Sequence, residues 1–387
     1  VIHALLKLQL STAARARRPT TAIDAQPWSM RVRESDLRFT SRVSRIPGRA
    51  DNRALLVRVA RGCHLNTKTF GTTPQPWEVR RIVAEARIWA AHRQMSKGGE
   101  PVFTGDSALI ARGCETWWDN PDVSVRRSRR SSMPILLSGV QQGGTSVPEV
   151  GVRQVAAVPS YENLVPEQVS GLRVAPPGLT LVDLCRHGHA LQAFFGAASL
   201  IAKLADFDRF AYEGSQIRVG RERLLLAEEL DRYRSVGGVR RARALVDRVP
   251  VGFDSPAEAA VSWLLMSMLP SATRVVSQLP VPTPSGPVFI DVALPDYRIS
   301  LEISGVGKFG EGEEVRSHVD NFLDRQQRLL DAGWLSVNVK ADEVMDLLEL
   351  ARALYRRLRP HGVPVGKPRG VLWQEQAEEL FHRDRRY

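Results

Sequence analysis

Residues 288–305 decide the fold of the carboxyl-terminal part of the chain, and they read VFIDVAL, PDYR and ISLEISG in succession. Two β-rich runs around a polar, proline-containing turn predict an antiparallel hairpin whose loop is residues 295–298. Position 294 then faces position 299, and counting back places Asp291 opposite Glu302. The two carboxylates are therefore expected on the same face of the hairpin, about 5 Å apart.

Two like charges at this spacing destabilise a sheet unless something compensates them. The compensation can be a raised pKa on one carboxyl, a basic neighbour or a bound cation. A divalent metal such as Mg²⁺ suits the pair, because hard cations take carboxylate oxygens, generate a nucleophilic water and neutralise a phosphate. The alternative is that Asp291 and Glu302 both face solvent on an edge hairpin.

The elements on either side of the hairpin carry further charged residues. Upstream, Ser255-Pro256-Ala257-Glu258 precedes an apolar run and predicts a helix start, with Ser255 as N-cap and Glu258 as its capping-box partner. Downstream, residues 311–334 predict a charged helix that Gly333 closes, and residues 334–339 predict a strand. Glu258 is thus a capping residue, a third site carboxylate, or both.

The composition of the whole chain indicates a basic globular protein. Its 387 residues carry 54 lysines and arginines against 42 acids, a formal charge of +12, which points to an acidic polymer as partner. Three cysteines without metal-type spacing indicate a reducing compartment, and no apolar run reaches the roughly 20 residues of a membrane span. We therefore expect a cytoplasmic protein with no membrane role.

Composition and periodicity divide the chain into five segments. Residues 1–54 are expected to form a basic flexible arm with a degenerate helix-turn-helix region, and residues 55–177 a wing-like and small α/β region. Residues 178–250 are predicted to be a helical linker region, residues 251–360 an endonuclease-like domain, and residues 361–387 a basic tail. The arm is open to a second interpretation, as a solvated leader with no function.

Two basic groups are candidate nucleic-acid contacts. Arg58 and Arg61 lie in the alternating run LLVRVARGC of residues 55–63, which predicts a strand that ends at Gly62. The second group is the dense patch Arg126, Arg127, Arg129 and Arg130. Either group binds phosphates or is simply a solvated loop.

The motifs of residues 255–346 resemble the very-short-patch-repair-like endonuclease domain of the PD-(D/E)xK, restriction-endonuclease-like superfamily. The landmarks are Ser255-Pro256-x-Glu258, Asp291, Glu302-x-x-Gly305, and Asp324-Arg325 leading to Ala332-Gly333-Trp334. Upstream runs such as Val57–Gly62 and Pro101–Ala108 are similar to AbiEi-type antitoxin or regulator proteins of actinobacterial type. That family implies a winged-helix-like region and a middle region ahead of a three-layer α/β/α nuclease-like domain, within a mixed α+β chain.

The resemblance implies a role for each landmark. Asp291 and Glu302 would bind Mg²⁺ or Mn²⁺, Glu258 would assist them, and Arg325 would pair with the site or with a phosphate. The family's catalytic strand usually ends E-x-K or E-x-D before glycine, whereas this chain has Ser304. Lys308 or Lys340 is then the candidate for the missing cation.

A second departure lies at the amino end. Residues 35–44 should hold the recognition helix, yet their apolar residues recur at a period close to two. The base-reading helix is therefore expected to be lost or replaced by the basic arm.

Three functions remain open on the sequence. The first is a DNA-binding protein whose nuclease-like domain hydrolyses phosphodiester bonds. The second is a non-enzymatic transcriptional regulator, or an antitoxin-like protein of a type IV toxin-antitoxin pair, which would have a toxin or regulatory partner. The third is a protein-binding module whose basic surface meets an acidic partner.

Overall fold

The structure is a computed structural model that describes residues 30–40, 55–96, 99–127, 135–155, 165–304 and 313–376, with the backbone alone for residues 313–321. Within these ranges the chain mixes helices with several sheets, which confirms the expected mixed α+β class. The predicted patch residues Arg129 and Arg130, the predicted cation Lys308 and most of the amino-terminal arm lie outside the described residues.

A nine-stranded sheet forms the first half of the described chain, in the order β1-β3-β2-β6-β9-β5-β4-β11-β10. Its strands are β1 (Leu37–Phe39), β2 (Leu56–Ala60), β3 (Cys63–Asn66), β4 (Val102–Phe103), β5 (Val123–Arg126), β6 (Leu136–Leu137), β9 (Val150–Val155), β10 (Glu167–Val169) and β11 (Leu172–Val174). Strands β7 (Val140–Gln142) and β8 (Thr145–Val147) form a separate hairpin.

The predicted strand of residues 55–63 is the first arm of the β2–β3 hairpin. The chain turns at Gly62, whose φ of +69° is a conformation that L side chains rarely adopt. A Cβ at this position would lie 3.0 Å from the carbonyl oxygen of Thr40. Glycine is therefore required here by both the backbone angle and the close approach.

Helix α1 (Pro76–Met95) packs against this sheet. It is buried on most sides, so even charged residues of the helix lie in the interior. Arg87 is fully buried and donates to the carbonyl oxygens of Ser138 and Pro148, each at 2.6 Å. These bonds tie the helix to the β6–β9 region, because a buried guanidinium must find acceptors.

The described part of the expected degenerate helix-turn-helix region has a strand at the position of the recognition helix. Residues 34–36 form a single 3₁₀ turn, and residues 37–39 form strand β1, paired antiparallel with β3. The alternation of apolar side chains in this segment agrees with a strand, and Leu37 is buried. No recognition helix is present in residues 30–40.

Helix α2 (Gly105–Ala111) lies between β4 and β5. The segment predicted to be helical, residues 178–250, contains α3 (Pro177–His187), α4 (Ala190–Leu204), α5 (Tyr212–Leu230) and α6 (Val239–Arg248). Helices α3 and α4 are separate because Gly188 is extended and His189 caps the second helix by accepting the amide N–H of Leu191. In the described residues, no single helix is long and apolar enough to cross a membrane.

The carboxyl-terminal unit contains a four-stranded sheet with helices on both faces. Helix α7 (Pro256–Met268) is followed by β12 (Val276–Val281), β13 (Val288–Leu294), β14 (Ile299–Ser304), α8 (Glu313–Asp331), β15 (Leu335–Lys340) and α9 (Leu347–Leu358). Strands β12, β13 and β14 form an antiparallel meander, and β15 lies parallel to β14. Strand β12 was not expected from the sequence.

The two faces of this sheet belong to different hydrophobic clusters. Leu301, Val337 and Val339 join helices α7 and α9 in a core that also contains the helices of residues 177–248. Ile290, Ala293 and Leu329 form a smaller cluster on the side of α8. The segments predicted as a helical linker and an endonuclease-like domain therefore share one core.

Candidate active site

Strands β13 and β14 separate at the positions of the two predicted carboxylates. The hairpin has the expected register, with Leu294 opposite Ile299 and Val292 opposite Leu301. Asp291 and Glu302 come next along the two strands. At this point a side-chain hydrogen bond replaces the pairing between backbone groups, because Oδ2 of Asp291 accepts the amide N–H of Ile303 at 3.0 Å.

On its other side, Asp291 lies opposite a distorted position of β12. Ser277 pairs with Val292 and Leu279 with Ile290, so the same register places Gln278 against Asp291. Gln278 has a φ of +50°, which is unusual for a residue within a strand. The backbone is irregular on both sides of Asp291, and irregular strand positions of this kind often re-aim side chains at functional sites.

Arg325 of helix α8 contacts residues of both β13 and β14. Its Nη2 lies 2.6 Å from Oε2 of Glu302 and 3.4 Å from Oδ1 of Asp291, and it also donates to the carbonyl oxygen of Phe289. Alternation along β14 explains the meeting, because Leu301 faces the core of α7 and α9 while Glu302 faces α8. The structure therefore brings the three predicted residues Asp291, Glu302 and Arg325 together.

Glu258 lies in the first turn of helix α7 and is buried. Its amide N–H donates to the hydroxyl oxygen of Ser255, which is the predicted N-cap interaction. Its carboxylate accepts the hydroxyl of Ser255 at 2.9 Å, the amide N–H of Asp254 at 3.0 Å and the side-chain amide of Gln278 at 3.2 Å. Glu258 is thus both a capping residue and a neighbour of the β12 position that faces Asp291.

The negative charge of Asp291 affects the pKa of both Glu258 and Glu302. Burial raises the pKa of Glu258 to about 7, and the negative charge of Asp291 adds to the increase. The pKa of Glu302 is also raised to about 7, by burial and then by Asp291, while Arg325 acts in the opposite direction. Both carboxyls therefore gain or lose a proton near neutral pH, which is the range useful for acid–base chemistry.

Asp291 and Glu302 are candidate ligands of a divalent cation. Oε1 of Glu302 is buried and has no hydrogen-bond partner, so one oxygen is available to a further cation. Among the described residues, no group of three or more His, Cys, Asp or Glu side chains is arranged to hold a metal ion. Mg²⁺ is commonly held by one or two carboxylates with water and phosphate oxygens as its other ligands. Asp291 and Glu302 fit that pattern.

Ser304 stands where the sequence resemblance implies a lysine, and its neighbour in the sheet is Lys340. Ser304 pairs with Lys340 in the parallel register of β14 and β15, and paired residues point to the same face of a sheet. Val337 and Val339 lie in the core on the opposite face, so Lys340 is on the face of Glu302 and is exposed. Lys340, which the sequence suggested as an alternative cation, is therefore adjacent to the expected lysine position.

The predicted nucleic-acid contacts differ in their accessibility. Arg58 and Arg61 are exposed on the β2–β3 hairpin. Arg126 is only 6% exposed, and its Nε lies 2.7 Å from Oδ2 of Asp183. Its assignment to nucleic-acid binding is corrected, because a buried guanidinium with a carboxylate partner does not reach a phosphate. Arg127 is partly buried and donates to the carbonyl oxygen of Met95 at 3.1 Å.

Several residues at this site were not identified by the sequence analysis. One is Gln278, which donates a hydrogen bond to Glu258 and accepts one from Arg209 at 3.0 Å. Arg209 and Phe210 lie in the turn before helix α5, and Phe210 contacts Phe289 of β13. The sequence gives no signal for this meeting, because about 80 residues separate Phe210 from Phe289 and no shared motif links them.

Comparisons of the chain with protein families, with curated proteins and with solved structures give no match.

Proposed function

We propose that the protein binds DNA and hydrolyses phosphodiester bonds at the site of Glu258, Asp291 and Glu302, with Mg²⁺ or Mn²⁺ as cofactor. The observation that carries the proposal is the meeting of Asp291, Glu302 and Arg325 where β13 and β14 separate. An unpaired buried carboxylate oxygen at that point is costly unless a ligand uses it. The succession of helix α7, strands β13 and β14, helix α8, strand β15 and helix α9 supports the same proposal, since the resemblance implies that order, and β12 is an additional strand.

The residues of the site divide the chemistry among them. Asp291 and Glu302 would hold the metal ion, which when bound supplies charge neutralisation at the phosphate and an acidified water. Glu258, with its pKa near 7, holds or accepts a proton at its carboxylate at neutral pH. Lys340 places a positive charge on the same face, where it stabilises negative charge that develops on the phosphate.

Arg325 controls the state of the site without substrate. Its guanidinium offsets one of the two negative charges of Asp291 and Glu302 when no other cation is present. A phosphate offers the same guanidinium a second bidentate partner. Binding of DNA therefore gives Arg325 an alternative to the carboxylates and frees their oxygens.

Incubation of the full chain with supercoiled plasmid tests the proposal, with Mg²⁺, with Mn²⁺ and with EDTA. We expect metal-dependent nicking that Asp291→Asn and Glu302→Gln each abolish. Asp296→Asn is the matched control, because Asp296 is a carboxylate in the loop of the same hairpin but pairs with Arg274 at the surface. Nicking that persists in both site variants contradicts the proposal.

A second function is supported by one specific observation, the presence of the Arg325 guanidinium between the two carboxylates. Together with Ser304 in place of the family lysine, it favours a nuclease fold that only binds. In this second proposal the protein is a non-enzymatic transcriptional regulator or an antitoxin-like protein. A gel shift of DNA by the wild-type chain, without nicking under any metal condition, is the result that selects it.

A further inference from the structure

A cluster of two aromatic rings and a guanidinium lies beside the carboxylates. The rings of Phe210 and Phe289 have centroids 5.4 Å apart and meet edge to face at 81°. The guanidinium carbon of Arg209 lies 5.5 Å from the centroid of Phe210 and 6.0 Å from that of Phe289. We call Arg209, Phe210 and Phe289 the aromatic platform.

Hydrogen bonds connect the platform to the carboxylate site by two short routes. Arg209 forms an ion pair with Asp254, whose amide N–H donates to Glu258. Arg209 also donates to Gln278, which donates to the same carboxylate of Glu258. A third link is the hydrogen bond that the carbonyl oxygen of Phe289 accepts from the guanidinium of Arg325. The position of the platform is therefore fixed relative to Glu258 and Arg325.

Phe210 is the exposed part of the platform, with 79% of its surface accessible. An exposed phenyl ring gains nothing from burial, yet this ring is held by an aromatic neighbour and by a cation. Arg209 is already paired with Asp254, so its charge is largely balanced. The platform thus offers a pre-positioned π surface rather than a phosphate site.

We propose that the platform stacks one unpaired nucleobase beside the scissile phosphate, so that the substrate is single-stranded DNA or DNA with an unpaired nucleotide. The inference rests on the proposed function for the location of the phosphate. Nucleobases have π faces that stack on aromatic side chains irrespective of sequence. In a duplex those faces are covered by neighbouring base pairs, and extruding a base costs free energy. An exposed phenyl ring next to a phosphodiester site therefore selects nucleotides that are already unpaired.

Fluorescence of an oligonucleotide that contains 2-aminopurine tests the inference with the full-length chain. The measurement is made in EDTA, so that cleavage does not interfere with binding. We expect the wild-type chain to quench the probe in single-stranded DNA and to bind it more tightly than the same probe in a duplex. Phe210→Ala should weaken single-strand binding by roughly tenfold or more, whereas Phe210→Trp should retain it.

Ile217→Ala is the matched control, because Ile217 is an equally exposed apolar residue, 74% accessible, on the helix that follows Phe210. It should bind single-stranded DNA like the wild type. Equal single-strand affinity of Phe210→Ala and wild type overturns the inference, and so does equal affinity of the wild type for single strand and duplex. Circular dichroism of each variant establishes that the fold is retained.

The outcomes distinguish this inference from the proposed function. If the wild type nicks plasmid and Phe210→Ala does not change single-strand binding, the inference of base stacking is excluded and the proposed hydrolase function is supported. A Phe210-dependent affinity for single-stranded DNA, with no cleavage of either plasmid or single-stranded DNA in any metal, would exclude the hydrolase and support base stacking on the platform.

Discussion

Nη2 of Arg325 lies 2.6 Å from Oε2 of Glu302, so the buried carboxylate is balanced by a cation from the protein itself. The contact joins helix α8 to the point where β13 and β14 separate. The same guanidinium lies 3.4 Å from Asp291 and also binds the carbonyl oxygen of Phe289. In the proposed hydrolase, a divalent cation would compete with this arginine for the same two carboxylates.

Removing Arg325 should destabilise the protein in a pH-dependent way. Arg325→Gln leaves Glu302 buried without its cation, and we expect a loss of about 2 kcal/mol at pH 8. This is below the roughly 3–5 kcal/mol for a fully buried pair, because the guanidinium is 32% exposed. At pH 5 Glu302 is protonated and the loss should shrink. Urea unfolding at both pH values measures the difference.

Arg328→Gln provides the control for that experiment. Arg328 is on the same helix, one turn later, and pairs with the exposed carboxylate of Asp324. Exposed i, i+4 pairs contribute at most about 0.5 kcal/mol. A loss in Arg325→Gln no larger than in Arg328→Gln would show that the contact with Glu302 does not stabilise the fold.

The raised pKa values of Glu258 and Glu302 predict that stability falls with pH. Each carboxyl has a folded-state pKa of about 7 against an ordinary value of 4.5. Between these values the folded chain binds more protons than the unfolded chain, so the free energy of unfolding decreases as pH rises from 4.5 to 7. The decrease is at most roughly 3 kcal/mol per carboxyl. Denaturant unfolding from pH 5 to 8 should show this slope.

Glu258→Gln and Glu302→Gln should each flatten that slope, because each removes one proton-binding group. Glu349→Gln is the control, since arginine partners lower the pKa of this exposed carboxyl and it stays ionised throughout the window. A slope that is unchanged in both site variants would mean that the two glutamates ionise normally.

In the proposed hydrolase, Lys340 is expected to supply the positive charge of the lysine that the resemblance implies at position 304. Lys340→Met should reduce metal-dependent nicking by at least about tenfold, since it removes a positive charge that faces the developing phosphate charge. Lys340→Arg should retain much of the rate, and Ser304→Lys in the Lys340→Met background should restore it. Initial rates of plasmid nicking measure all three variants. Nicking by Lys340→Met at the wild-type rate would assign the cationic role to another residue.

The exposed arginines of the β2–β3 hairpin should act on DNA affinity through phosphates. Replacing Arg58 and Arg61 together by glutamine should lower affinity for all DNA sequences and reduce the slope of log K against log salt by about 2. Arg126→Gln should instead lower stability, because it leaves the buried carboxylate of Asp183 without its partner. Fluorescence anisotropy at several salt concentrations, together with thermal unfolding, separates the two effects.

The carboxyl-terminal hairpin was predictable because its signals are local. A proline-containing turn between two β-rich runs sets the register, and the register alone places Asp291 against Glu302. The N-cap at Ser255 and helix α8 have equally local signals. The burial of Arg126 was not predictable, because its partner Asp183 lies 57 residues away on helix α3.

Contacts between distant segments account for the other differences. Strand β12 contains Pro280, a residue that weakens a strand pattern in the sequence. Its Gln278 has a left-handed backbone conformation, which the sequence does not indicate. The aromatic platform depends on the packing of the turn before α5 against β13, and no local periodicity records that packing. Local sequence signals therefore predicted the elements that carry Glu258, Asp291 and Glu302. The residues that contact Glu258 could be identified only from the tertiary structure.

Metal binding should strengthen with pH and should increase when Arg325 is removed. A metal ion at Asp291 and Glu302 requires Glu302 to be deprotonated, and the pKa of Glu302 is about 7. We expect Mn²⁺ affinity to rise by roughly tenfold per pH unit below 7 and to level off above it. Arg325→Gln should bind Mn²⁺ more tightly at pH 8, because the competing guanidinium is gone.

Paramagnetic resonance of free Mn²⁺ measures the affinity without any cleavage, with Asp296→Asn as a control that should bind like the wild type. Tighter binding in Arg325→Gln that Glu302→Gln abolishes would locate the ion at the separation of β13 and β14, whereas equal Mn²⁺ affinity in wild type and Glu302→Gln would exclude Glu302 as a ligand.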